Sequence, residues 1–160
     1  MGRLQFNSEP SNSGQSQTSP ANRLEAYTAL EYILLGDLRD VLEEPADRYT
    51  RGWLVAVLDA LLDTLPREMA IKEASGYLNE VLAEYPSWYR QVEDLQNEER
   101  LLFLSLQALR DRLETSESYA YAADRVKAAL RQWMTRLTAH HRHETRILQT
   151  AMNLEVGVGD

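Results

Sequence analysis

Residues 137–148 carry all three histidines of the chain, His140, His141 and His143. The segment is amphipathic with a helical period, its apolar stripe running Leu130, Trp133 and Leu137 and resuming at Ile147 and Ala151. Between them, His140 and Glu144 occupy the stripe positions where leucine is expected. Residues four apart are neighbours on one helix face, so an imidazole and a carboxylate point together toward the expected core. A buried carboxylate requires a cation or a proton. The chemistry that this pair suggests is metal ligation, with a hydrogen-bonded pair lacking any metal as the alternative. His141 and His143 fall off the stripe and are expected to face solvent.

Three further stripes each contain one glutamate in core phase. The first, Leu24, Tyr27, Glu31, Leu34, Leu38 and Val41, starts at Asn22 as N-cap and ends before Pro45. The second, from about Arg51 to Tyr85, contains Glu68, with Lys72 one turn later. Pro66 lies inside it and predicts a kink or short break there. The third, from Ser87 to about Glu114, reads Val92, Leu95, Glu99, Leu102, Leu106, Leu109 and Leu113. The fourth begins between Ser118 and Asp124 and reaches about Met152. Taken singly, each glutamate reads as a stripe-edge residue snorkelling to water, and Glu68 with Lys72 as an intrahelical ion pair. Trp53, Trp88, Trp133 and the tyrosines read as packing residues, and Met69 and Met134 as gap fillers.

Four stripes predict an all-α protein, an up-down-up-down four-helix bundle over residues 22–153. Residues 1–21 are expected to form a disordered tail, being polar and Ser/Gln/Asn-rich, and 154–160 a loose extension. At 1.5 Å per residue, Glu31 lies roughly 20 Å before the first loop and Glu68 roughly 24 Å after it. Glu99 lies roughly 18 Å from the second and third loops, and His140 roughly 24 Å past the third. The levels agree to about one turn. Glu31, Glu68, Glu99, His140 and Glu144 therefore form the candidate metal-ligand set. Inward carboxylates from four helices with a histidine are a known way to hold two metal ions in a bundle, and such ligands suit iron, manganese or zinc.

Composition narrows the partners. A chain of 160 residues with 44% hydrophobic and 26% charged content suits one soluble domain. The net charge of −8 argues against nucleic acid and against an anionic membrane surface. The absence of cysteine excludes disulfides and thiolate ligands and is consistent with a cytoplasmic location. The start of the chain lacks a basic segment followed by an apolar one, so no signal peptide is expected. No nucleophile–base pair or phosphate-binding loop stands out, which disfavours hydrolase and kinase chemistry. No motif specifies a protein partner.

His140-xxx-Glu144 within 137–148 resembles the last helix of hemerythrin-like (HHE cation-binding) domains. Residues 61–73, Leu-Leu-Asp-Thr-Leu-Pro-Arg-Glu-Met-Ala-Ile-Lys-Glu, are similar to their second helix, and 97–102, Asn-Glu-Glu-Arg-Leu-Leu, to their third. The resemblance covers roughly 24–152. It implies a four-helix bundle with a non-haem di-iron centre, and a role in oxygen or redox sensing or in iron handling. The sequence departs from the family pattern at named places: the second-helix His-xxx-Glu reads Glu68-xxx-Lys72, and the third-helix histidine reads Glu99. The first-helix histidine falls at Glu31 or Tyr32. Two readings follow. In one, a modified carboxylate-rich centre binds iron or another first-row divalent metal. In the other, a degenerate bundle binds none, Lys72 replaces the cation, and the domain serves as an interaction or structural module. A ferritin-type oxidase is a poorer match, since no Glu-xx-His repeats on two helices.

Overall fold

In a computed structural model, residues 19–115 and 119–157 are described. They are helical throughout apart from short connections, with no strand among them: α1 (Pro20–Glu43), α2 (Arg48–Ser75), α3 (Tyr77–Glu84), a 3-10 turn (Pro86–Trp88), α4 (Tyr89–Thr115) and α5 (Tyr119–Gly157). None is long and apolar enough to cross a membrane.

Each boundary has a local cause. Ser19 caps α1 by accepting from the Asn22 backbone N–H, with Pro20 in the first turn. The cap thus lies three residues before the expected one, because Pro20 lacks the N–H that a first-turn residue would leave unpaired. Asp47 and Thr50 form a reciprocal capping box at the start of α2. The expected tail largely coincides with residues 1–18, outside the described residues. Residues 20 and 21, also assigned to it, are helical. At the other end α5 continues to Gly157, past the expected limit, and 158–160 lie outside the described residues.

The second expected helix needs correction. It continues through Pro66 and divides at Gly76 instead, where φ is +69°. Proline removes one backbone hydrogen bond, and buried Leu61, Leu65 and Glu68 hold the surrounding turns in place. Gly76 adopts the left-handed conformation that a side chain disfavours, which ends α2 and turns the chain into α3. Among the described residues five α-helices result where four stripes were expected. Gly76→Ala should cost about 1–2 kcal/mol, although no atom lies within 4 Å of the added methyl position. Gly36→Ala and Gly52→Ala have the same open space but sit inside α1 and α2, and each should stabilise by about 0.5–1 kcal/mol. Urea unfolding of the three variants checks the contrast, and a uniform sign would contradict it.

The main core is one cluster from the four long helices, including Leu38, Leu58, Leu61, Leu106, Leu130 and Trp133, all fully buried. The Trp133 indole N–H donates to the Leu102 carbonyl at 2.8 Å, so the largest core side chain leaves no polar atom unpaired. Val81, Val92, Leu95, Ile147 and Ala151 are also buried but lie outside that cluster. Along α4 and α5, the polar residues of interest fall between these two apolar groups.

Candidate ion-pair and proton-sharing cluster

Glu31, Glu68 and His140 are buried, at 3%, 4% and 4% exposure, and Glu99 and Glu144 are half-buried. All five expected residues thus point inward. Glu31, Glu68, Glu99 and His140 line one internal space of about 20 Å³ together with Lys72 and His141. That is room for about one water molecule. Glu144 joins through Lys72, whose ammonium lies 3.1 Å from its Oε1 and 3.5 Å from Glu68 Oε1. Lys72 is only 16% exposed at the side chain. Burial disfavours its charge, but Glu144 and Glu68 outweigh that and raise its pKa, so it remains an ammonium.

His141 is corrected from a solvent-facing residue to a member of the cluster. Its Nε2 lies 2.7 Å from Glu31 Oε1, linking α5 to α1. This hydrogen bond raises the imidazole pKa against the opposing effect of burial. His143 is corrected too: it is half-buried, with Nδ1 3.2 Å from Glu98 Oε2. The same oxygen lies 3.1 Å from His140 Nδ1. His140 Nε2 stands 3.8 Å from Glu144 Oε2, so its short contact is to Glu98 rather than to its expected i+4 partner. Burial lowers the His140 pKa, with Glu98 offsetting part of that effect.

Glu31 and Glu68 are coupled. Burial alone would raise both pKa values. Hydrogen bonds to His141 and Glu68, with the charges of His141 and Lys72, bring Glu31 down to about 2. Burial and the Glu31 carboxylate push Glu68 up to about 7, against partial offset by Lys72 and Thr28. Two adjacent buried carboxyls share one proton because both cannot ionise together. Glu68 Oε1 accepts from the Thr28 hydroxyl at 3.2 Å, whereas the buried Oε2 has no hydrogen-bond partner. A bare buried carboxylate oxygen is costly, and protonation of Glu68 lowers that cost by removing the charge.

Tyr77, Thr28, Glu98 and His141 are site residues that stripe phase did not identify. Tyr77 is delivered by the Gly76 turn and donates its hydroxyl to Glu144 Oε1 at 2.9 Å. Burial and the Glu144 charge raise its pKa, keeping the hydroxyl protonated as a donor. The glycine at 76 was the available signal, since it marks the break that brings Tyr77 inward. Glu99 makes no hydrogen bond or close ion pair among the described residues, and burial raises its pKa. No family model matches the chain, and no curated protein or solved structure matches it.

The Lys72 ammonium lies between Glu68 and Glu144, and Glu68 also interacts with the Glu31 carboxyl. Among the described residues, no group of three or more His, Asp or Glu side chains is disposed to hold a metal ion.

Proposed function

We propose that the chain is a degenerate hemerythrin-like bundle in which Lys72 takes the place of the cation, and that it works as a metal-independent interaction or structural module. The observation that carries this reading is the Lys72 ammonium between Glu144 and Glu68. A fixed positive charge there offsets carboxylates that a metal would otherwise neutralise. It also opposes entry of a divalent ion.

An up-down-up-down arrangement of α1, α2, α4 and α5 belongs to the same proposal. Cross-helix contacts support it. Rising numbers in one helix meet falling numbers in the next: Arg51 reaches the Leu113 carbonyl while Asp59 pairs with Arg110. Trp133 reaches Leu102 while His140 meets Glu98. Arg131 reaches the Leu42 carbonyl while His141 meets Glu31. In this scheme α3 is an insertion after the second long helix that covers Glu144 with Tyr77.

The second reading, a modified carboxylate-rich metal centre, draws support from two groups that Lys72 does not satisfy: Glu68 Oε2 and the Glu99 carboxylate. Metal analysis separates the two. Protein prepared in iron-supplemented medium should carry negligible iron, manganese or zinc, and chelator should leave its thermal midpoint unchanged. Retention of about one or two equivalents, lost together with stability on chelation, would establish the metal reading instead.

A further inference from the structure

We propose that α1 docks antiparallel on α1 of a second copy of the chain, along an exposed face beside its core stripe. Arg23, Ala26, Leu30, Ile33, Asp37 and Asp40 follow one another in steps of three and four residues. That is the seam spacing by which two helices interlock side chains. The seam runs one residue ahead of the buried Glu31, Leu34, Leu38 and Val41, so it flanks the interior instead of facing it. Leu30 is 40% exposed and Ile33 57%, and Ala26 beside them is exposed and small enough to let two helices approach closely.

Charge selects the occupant and its direction. The seam is apolar in the middle, with Arg23 at one end and Asp37 and Asp40 at the other. Arg23 and Asp40 are exposed and Asp37 half-buried, and no side chain of the three makes a hydrogen bond or ion pair among the described residues. None has a residue of opposite charge three or four places away on its own helix. With the copies antiparallel and Leu30 facing Ile33 of the second copy, Arg23 comes level with Asp40 of that copy and one turn from its Asp37. Two-fold symmetry makes the contact twice. Parallel copies would set arginine on arginine and aspartate on aspartate, which is unfavourable. The same test excludes α4. Its stripe of Asp94, Asn97, Leu101, Leu104, Ala108 and Asp111 has the same spacing and two exposed leucines, but it is acidic at both ends. Like charges meet there in either direction.

This goes beyond the function proposed above and does not depend on how the carboxylates around Lys72 are neutralised. One helix from each copy makes a small interface, below about 1,200 Å², of the weak and reversible class. Sedimentation of the full chain should show the mass rising from the 18.4 kDa monomer toward the dimer. The rise is expected between about 10 μM and 1 mM. L30E and I33E, each at an exposed position, should keep the helical circular dichroism and stay monomeric, whereas L101E should associate as the parent does. R23E should weaken association by roughly tenfold, as should D37R combined with D40R. A 1:1 mixture of those two charge variants should recover it as a heterodimer, because each then meets its opposite. A monomer mass up to about 1 mM would overturn the proposal. Association that survives both L30E and I33E, or that is lost in L101E, would also refute it. So would a charge-variant mixture no more associated than its components.

Discussion

Lys72→Met should cost about 3–5 kcal/mol at neutral pH, the range for removing one partner from a buried charge pair. The methionine fills most of the space of the lysine stem, so the loss reports charge rather than volume. Without the ammonium, Glu144 keeps only the Tyr77 hydroxyl among its short contacts and the longer approach of His140. Glu68 keeps Thr28 and the proton it shares with Glu31. The cost should shrink as pH falls and Glu68 takes up its proton. Urea unfolding of both proteins at two pH values measures it. A cost below about 1 kcal/mol at neutral pH would remove Lys72 from the role of internal cation.

Stability should fall as pH rises from about 5 to about 8, and Glu68 is the main cause. Its native pKa of about 7 lies above the unfolded value, so the native state binds the extra proton. The stabilisation is complete below the unfolded pKa and is lost as pH rises through the native one. On the order of 2–3 kcal/mol is at stake. His141 acts in the same direction, since its pKa is raised by Glu31. Glu31 acts oppositely at acid pH: its stabilisation is present above its unfolded pKa and lost as pH falls toward about 2. His140, whose pKa is lowered, favours the native state above its unfolded pKa and so offsets part of the neutral-pH decline. Glu98, also lowered, and Glu99, raised, complete the carboxylates around the cluster. Glu68→Gln retains the shape and removes the titration. Its stability should be flatter over the same interval. A metal centre gives the reverse sign, because ligands must lose protons to bind the ion and stability then rises with pH. A rising curve abolished by chelator would therefore refute the proton-sharing account.

Much of the architecture follows from sequence order alone. The 3.6-residue periodicity of the leucines places the four long helices and their inward faces, since burying one apolar stripe is what holds an amphipathic helix in a fold. The same phase puts Glu31, Glu68, Glu99, His140 and Glu144 inward, and all five point there. Proline and glycine divide the labour differently from the simplest expectation. Pro66 is carried within α2 by packing on either side, while Gly76, with its positive φ, makes the break and brings Tyr77 to Glu144.

Only the tertiary structure decides which inward groups neutralise one another. A stripe gives the direction of a side chain but not its partner on another helix. His140 is four residues from Glu144, yet it bonds Glu98 across the α4–α5 contact. His141 lies off the stripe, yet it reaches Glu31 because α1 passes beside it. Lys72 pairs with Glu144, 72 residues away, as well as with its own-helix neighbour Glu68. The linked protonation of Glu31 and Glu68 has the same origin: it depends on two buried carboxyls from different helices meeting. Local sequence determines which charges are turned inward. Helix packing determines whether a metal, a lysine or a proton compensates them.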